Sequence, residues 1–158
     1  MTKKKSWQEK MKKPEHPEIK QAPENWAKKY NGHKMLIPTP KIIEEMIRKI
    51  PQGKLITLNS LRNLLAKEHQ ADFTCPLTTG IFLRIVAEAA EEAKREGAPA
   101  ITPYWRVVKD DGTLNPKFPQ SPELQSTYLK NEKFEIVPKG RKNLMVKNFN
   151  AYLINSIS

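Results

Sequence analysis

The stretch Ile101-Thr102-Pro103-Tyr104-Trp105-Arg106-Val107-Val108, which runs into the turn Lys109-Asp110-Asp111-Gly112, is the least ordinary part of the chain. It is a short apolar run that contains a Pro, two large aromatic residues and an Arg. Core strands seldom hold such a set, because Pro donates no ladder hydrogen bond and a buried Arg is costly. The stretch therefore predicts a bend that presents two aromatic side chains and a guanidinium at a pocket.

Helices are predicted on both sides of this bend. Four helices are predicted. In the third of them, the hydrophobic pattern places Ile81 and Ile85 on the inner face and Glu91 on the outer face, and Gly97 is the stop signal of that helix. N-cap residues and early prolines mark where the helices begin. The four predicted starts are Thr39–Pro40, Thr57 or Asn59, Thr78 or Thr79, and Ser121–Pro122.

Two short strand candidates, 134–137 and 144–149, flank the basic turn 138–143 and form a predicted β-hairpin. The second and third helices are typical of a helix-turn-helix, although a plain helical hairpin gives the same pattern. We therefore predict an α+β, mainly helical fold: a winged-helix-like helix-turn-helix domain with a small C-terminal β-hairpin.

The chain is strongly basic, with 28 Lys and Arg against 17 Asp and Glu, a net charge of +11. Such a charge favours a polyanionic partner, although it also serves solubility. The single Cys excludes an intramolecular disulfide framework, and no apolar run is long enough for a signal peptide or a membrane span. We expect a soluble monomer of the cytoplasm, associated with the nucleoid.

Residues 1–38 differ in composition from the rest, with ten Lys against four Glu and prolines that prevent long helices. Aromatic residues such as Trp7 and Trp26 are too apolar for a fully solvated tail. We predict a basic, Pro-rich N-terminal arm, 1–38, extended and partly docked by its aromatic residues, ahead of a domain at 39–158. The alternative is an arm that lies along DNA phosphates.

An ordered series of motifs resembles the C-terminal domain of the alkylguanine-DNA alkyltransferases, the methylated-DNA-protein-cysteine methyltransferases. The similarity covers about residues 39–154. Its motifs are Ile50 to Thr57, Arg84-Ile85-Val86, Ile101 to Val108, and Leu129-Lys130-Asn131-Glu132. The resemblance implies the alkyltransferase type of fold, double-stranded DNA as partner, and recognition of a guanine flipped out of the duplex.

The family transfers an alkyl group from guanine O6 to the Cys of a Pro-Cys-His-Arg motif, with the His as base and a Glu that orients it. This chain has Pro103-Tyr104-Trp105-Arg106 instead, while Glu132 matches the Glu. A phenol without a neighbouring base is a poor acceptor, and indole cannot act as a base. We therefore predict a pseudo-active site at Tyr104, Trp105 and Glu132, with no catalytic residue and no methyltransferase activity.

Alkyltransferase-like proteins, which lack the Cys, bind alkylated guanine without repairing it and flag it for other repair proteins. By this resemblance we predict a non-enzymatic DNA-repair protein that recognises O6-alkylguanine-type damage. Tyr104 and Trp105 either stack on the flipped base or fill the pocket. The alternatives are a catalytically dead scaffold serving as a regulatory or protein-interaction module, and an enzyme of different chemistry that uses Tyr104 and Glu132.

The resemblance also implies further DNA contacts. Arg84 matches the family's arginine finger, the side chain that fills the space of the flipped nucleotide in the duplex. The alternative interpretation is an exposed helix residue that pairs with Glu88 at i+4. Thr78 and Thr79, at the expected helix start, suit a phosphate. The remaining predicted DNA-binding residues are Pro103, Tyr104, Trp105 and Arg106 at the bend and Lys139, Arg141 and Lys142 at the hairpin tip.

No cofactor or metal site is predicted. The three His residues, His16, His33 and His69, are far apart in sequence and lack metal-ligand spacing. Cys75 lies in the turn before the third helix, so it is not the family's nucleophile. We interpret it as a structural thiol.

Overall fold

A computed structural model describes residues 5–156 of the chain. They form an α+β fold that is mainly helical, as predicted. The helices are α1 Trp7–Lys10, α2 Glu24–Tyr30, α3 Pro40–Arg48, α4 Leu58–Glu68, α5 Pro76–Arg95 and α6 Glu123–Asn131. The strands are β1 Glu18–Gln21, β2 Lys34–Ile37, β3 Ile56–Thr57, β4 Phe73–Thr74, β5 Val107–Val108, β6 Ile136–Lys139 and β7 Asn143–Val146, and Tyr104–Arg106 and Phe149–Tyr152 form 3-10 turns.

Side-chain caps confirm two of the predicted helix starts. The Thr39 hydroxyl accepts a hydrogen bond from the Ile42 amide at 3.1 Å, and the Thr57 hydroxyl accepts one from the Ser60 amide at 3.1 Å. Each cap satisfies an amide that the first helical turn leaves without a partner. The end of α5 is also as predicted, since Gly97 follows it with φ of +99°.

The predicted start of α5 at Thr78 or Thr79 is wrong. The helix begins at Pro76, and the N-cap is Cys75, whose Sγ accepts from the Thr78 amide at 3.5 Å. Thr79 lies inside the first turn, is buried, and donates its hydroxyl to the Cys75 carbonyl at 2.6 Å. Pro at the first helical position needs no amide partner, which makes the earlier start favourable.

The predicted inner face of α5 is wrong at Ile81 and Glu91, although Val86, Ala89 and Ala90 are buried as the pattern predicts. Ile81 is 52 % exposed, whereas Glu91 is only 7 % exposed. Two apolar stripes run along this helix, and the one that packs on the core contains Leu83, Val86 and Ala90. Glu91 follows Ala90 on the buried side, where tyrosine hydroxyls compensate its carboxylate.

The N-terminal segment is folded rather than extended. It contains α1, the antiparallel pair β1–β2, and α2, and β2 pairs in parallel with β4 of the following region. Leu36 of β2 belongs to the main core, and Tyr30 stacks on Phe73 with ring centroids 4.6 Å apart. Lys3 and Lys4 lie outside the described residues. The division at residue 38 stays a prediction.

Two small pairings hold the predicted bend in place. β3 pairs in parallel with β5, directly after the Tyr104–Arg106 turn. β6 pairs with β7 as the predicted hairpin, slightly shifted in its bounds, and packs against α6. The bend therefore lies in the core, with α3, α5 and α6 around it. Within residues 5–156, no helix has the length and apolar character needed to cross a membrane.

Candidate functional site

The bend at Pro103 is the 3-10 turn of Tyr104–Arg106, and Gln125 of α6 fixes its position. The Gln125 side chain is fully buried and donates to the carbonyls of Trp105 and Val107, at 3.1 Å each. These bonds satisfy carbonyls that a short turn cannot pair within itself. The bend itself is as predicted, but it lies in the core with Tyr104 and Trp105 buried, so it does not present the two aromatic side chains at an open pocket.

Tyr104 fills the space at the centre of the site. It is fully buried, and its hydroxyl donates to Glu91 Oε2 at 2.8 Å. The rings of Phe118 and Tyr128 meet it edge-on, with centroids 5.1 Å and 6.1 Å away. Burial, and next the hydrogen bond to Glu91, raise the pKa of Tyr104 far above its ordinary 10.0. The phenol therefore stays protonated at any physiological pH.

Trp105 meets Tyr104 edge-on, with ring centroids 5.5 Å apart, and extends toward Tyr128 and Glu132. Its ring stacks on Tyr128 with centroids 4.2 Å apart and an interplanar angle of 16°. Its indole nitrogen donates to Glu132 Oε2 at 2.6 Å. Trp105 is 9 % exposed, so neither face of the indole is open as it stands.

Glu132 joins the bend to the end of α3 as a multiply bonded anion. Its carboxylate also accepts from Arg106 Nε at 3.0 Å and from the Gly53 amide at 2.9 Å. Arg106 in turn donates to the Ile50 carbonyl at 2.7 Å. The Glu132 side chain is 7 % exposed and that of Arg106 14 %, so this ion pair is largely shielded from water. Tyr104 bonds to Glu91 rather than Glu132, which removes the geometry that an enzyme built on Tyr104 and Glu132 requires.

Sequence reasoning missed a second buried acid cluster. Glu91 Oε2 accepts from the hydroxyls of both Tyr104 and Tyr128 at 2.8 Å, and Lys94 donates to the Tyr128 hydroxyl at 2.9 Å. Burial raises the pKa of Tyr128, and the hydrogen bond from the ammonium to Tyr128 raises the pKa of Lys94. One sequence signal for the burial of Glu91 is its spacing. It lies four residues after Ala87, on the same helical stripe as Leu83 and Val86.

Arg84 lies on the surface of α5, away from the closed pocket. Its guanidinium lies over the Trp7 ring, 5.4 Å from the centroid. Among residues 5–156, Arg84 and Glu88 do not form the ion pair that their i, i+4 spacing allows. Glu92, two turns further on, caps α1 by accepting from the amides of Trp7 and Gln8 at 3.1 Å and 3.0 Å. The Gln8 amide, as the largest cause, lowers the pKa of Glu92. Helix α1 is therefore docked on the outer face of α5.

The other predicted DNA contacts differ in accessibility. Tyr104 and Thr79 are buried and, as placed here, have no surface for DNA, while Thr78 is half-buried. Arg141 and Lys142 are exposed at the hairpin tip. The structure brings the bend residues Pro103 to Arg106 together with Glu132, but neither Arg84 nor the hairpin tip bonds to that cluster.

One tip residue is already paired. Lys139 lies 3.2 Å from Asp111. Hydrogen bonds from Thr113, and then from Lys139, lower the pKa of Asp111 from 3.8 to about 2. The Asp111 side chain is 51 % exposed, so the pair is a surface contact that salt screens.

A concavity of about 520 Å³ lies along the first turns of α5, and we call it the α5 concavity. Leu77 and Ile81 form part of its wall, and they are 64 % and 52 % exposed. The rest of the wall consists of Trp7, Pro76, Gly80, Ile85 and three cations, and of the described residues that line it none is acidic. The cations are Lys10, Arg84 and Lys117.

Residues 5–156 contain no group of three His, Cys, Asp or Glu side chains that could hold a metal ion. Cys75 is buried and serves as the N-cap of α5. Tyr104 and Tyr128 both donate to Glu91, and Trp105 donates to Glu132. The position that matches the family's acceptor therefore holds a buried phenol whose proton is engaged.

Comparisons with known proteins support the fold. The chain matches no protein-family model and no curated protein sequence. It is similar to the crystal structure of S. pombe Atl1 in complex with damaged DNA containing O6-carboxymethylguanine, with 18% identity and a TM-score of 0.50. A structure of S. pombe ATL in complex with DNA is 17% identical, with a TM-score of 0.47. Each match covers 73% of this chain and 93% of the other. The alkyltransferase-like type of fold is therefore confirmed, while the winged-helix detail stays a prediction.

Proposed function

We propose that this chain is a non-enzymatic DNA-binding protein of the alkyltransferase-like type, which recognises O6-alkylguanine-type damage in DNA repair. The main support for the proposal is the residue that stands at the position of the family's alkyl acceptor. The site that matches the family's acceptor holds Tyr104, fully buried and hydrogen-bonded to Glu91. With this fold and no acceptor, binding remains as the activity that the site can support.

The chemistry of the pocket argues against alkyl transfer. An acceptor must lose its proton as it attacks, and burial raises the pKa of the Tyr104 phenol far above neutrality. Trp105 offers only an indole N–H, which already donates to Glu132. Neither side chain can take the role of thiolate or base.

Charge on α5 supports contact with DNA. Residues 76–87, the first three turns, contain no acidic residue. Of the three acids in the second half, Glu91 is buried and Glu92 is engaged by α1, so Glu88 alone remains at the surface without either constraint. Exposed cations at Arg84, Arg141 and Lys142, with a net charge of +11, favour phosphate. The structural likeness to Atl1, which was crystallised with damaged DNA, points the same way.

Entry of a flipped base requires Tyr104 to leave its place. Moving it breaks a hydrogen bond to a charged acceptor, which costs about 1.5–3 kcal/mol. Stacking of the incoming base on the remaining aromatic rings returns roughly 1–3 kcal/mol. Displacing the ring also gives up its packing against Phe118 and Tyr128, so stacking repays only part of the cost. The preference for alkylguanine is therefore expected to be modest, about tenfold or less.

The closed pocket supports a second candidate function. Tyr104, Trp105, Tyr128 and both buried carboxylates satisfy one another without an added base. A catalytically dead scaffold that acts through its surface, as a regulatory or protein-interaction module, needs no more than this. The two candidates differ in whether the pocket ever opens.

Binding to matched duplexes distinguishes the candidates. Fluorescence anisotropy at fixed salt gives the affinity ratio between an O6-methylguanine duplex and the same undamaged duplex. For damage recognition the wild-type ratio exceeds one, and Tyr104→Ala raises it because the base no longer has to displace a ring. Tyr104→Phe is the matched control, since it retains the ring and gives a smaller rise. A ratio of one in wild type and in Tyr104→Ala would favour the scaffold.

A further inference from the structure

The first turns of α5 expose apolar side chains that no packing explains. Leu77 and Ile81 are 64 % and 52 % exposed, and the remaining large exposed hydrophobic among residues 5–156 is Ile19. Their i, i+4 spacing places them one above the other on one face of the helix. Resting on the proposed function, we propose that Leu77 and Ile81 form an apolar wedge that enters the duplex and unstacks a base step.

Gly80, between the two, indicates close approach by something outside the chain. Apart from its chain neighbours and the adjacent backbone of its own helix, a Cβ built at Gly80 would meet no described atom within 4 Å. Internal packing therefore does not require glycine here, although glycine weakens a helix relative to alanine. A bare backbone beside Ile81 instead lets a ligand lie directly against the helix.

The charges around the wedge suit phosphates. Lys10, Arg84 and Lys117 line the α5 concavity with Leu77 and Ile81. An apolar centre with cations on its rim fits a duplex, where base pairs lie between two charged strands. Glu88 lies one turn beyond Arg84 and borders the neighbouring concavity rather than this one. Arg84, held over Trp7, remains on the rim in this arrangement and the apolar pair takes the inserting position.

The size of the patch favours a wedge over a protein docking site. A stable protein interface covers about 800 Å² on each partner, far more than two side chains supply. Proteins that bend DNA insert single Leu, Ile, Phe, Met or Pro side chains between base steps and kink the duplex by about 20–90°. Two aliphatic side chains are sufficient for that task.

The test uses full-length protein, a plain duplex with 2-aminopurine at one step, and dyes on the duplex ends. Wild-type protein should raise the 2-aminopurine emission at the contacted step and shorten the end-to-end distance. Leu77→Ser with Ile81→Ser should abolish both signals and weaken binding by about tenfold or more. The dependence of binding on salt should stay the same, because no charge is removed.

Ile19→Ser is the matched control, because it removes an equally exposed aliphatic side chain from β1. It should leave binding and unstacking unchanged. Gly80→Ala gives a result of opposite sign, since it should raise the melting temperature and yet weaken binding. Alanine binding as tightly as glycine would argue against close approach at Gly80.

The outcomes separate this inference from the proposed function. Failure of wild-type protein to bind any duplex at low salt would overturn both. Normal binding without unstacking, or normal unstacking in the Leu77→Ser, Ile81→Ser variant, would overturn the wedge and leave DNA binding intact. Wild-type self-association that disappears in this variant would identify the face as an interface between two copies of the chain.

Discussion

Truncation of Tyr104 to alanine tests whether the Tyr104 ring occupies the pocket. Tyr104 is fully buried, and Phe118 and Tyr128 pack against it. Truncation of a buried aromatic residue to alanine costs about 3–5 kcal/mol. For a chain of this size, each kcal/mol lowers the melting temperature by about 2–4 °C, so Tyr104→Ala should lower it by roughly 6–20 °C.

Tyr104→Phe separates the ring from the hydroxyl. It keeps the packing and loses one hydrogen bond to Glu91, which is worth about 1.5–3 kcal/mol. Urea denaturation of the two variants therefore gives the contribution of the ring as a difference. Phenol should raise the melting temperature of Tyr104→Ala, since it restores both ring and hydroxyl, and benzene should do so less. A Tyr104→Ala protein within 1 kcal/mol of wild type, and indifferent to phenol, would refute the filled pocket.

Three further predictions concern the carboxylates. Glu132→Ala should cost about 3–5 kcal/mol in chemical denaturation because it leaves Arg106 shielded and unpaired, and a loss below 1 kcal/mol would contradict the ion pair. Asp111→Asn should cost less than about 1 kcal/mol at pH 7, since the pair is half exposed. Because the folded pKa of Asp111 is depressed to about 2, this contribution is present above pH 3.8 and lost as pH falls toward 2, and a pH-independent difference would argue against it. Glu92→Ala should release α1 and shift Trp7 emission to the red. Because the folded pKa of Glu92 is lowered from 4.5, the same release should occur in wild type as pH falls below 4.5. Unchanged emission in the variant would exclude the cap.

Local signals in the sequence predicted much of the helical framework. Thr39 and Thr57 cap amides three residues ahead, and Gly97 ends α5 through its own backbone conformation, so the caps and the stop are readable without the fold. The bend at Pro103 was also predictable, because its residue types are incompatible with a core strand. These features depend on neighbours along the chain.

The features that were missed depend on contacts distant in sequence. Glu91 is buried because Tyr104 and Tyr128 supply donors, which lie 13 and 37 residues away. The strand at 34–37 forms because β1 and β4 pair with it on its two sides, and β4 lies more than 30 residues further along the chain. Helical periodicity could not choose between the stripe of Ile81 and that of Leu83. Whether the aromatic residues of the bend present a face or fill the pocket likewise followed from the packing around them.

Native mass spectrometry tests directly whether the protein binds damaged DNA without alkyl transfer. The protein is mixed with equal amounts of an O6-methylguanine duplex and an undamaged duplex of different mass. The account predicts a complex enriched in the damaged duplex, in which protein and DNA both keep their original masses. Protein that carries the methyl group would contradict the absence of transfer. Equal amounts of the two complexes, or no complex at all, would contradict damage recognition.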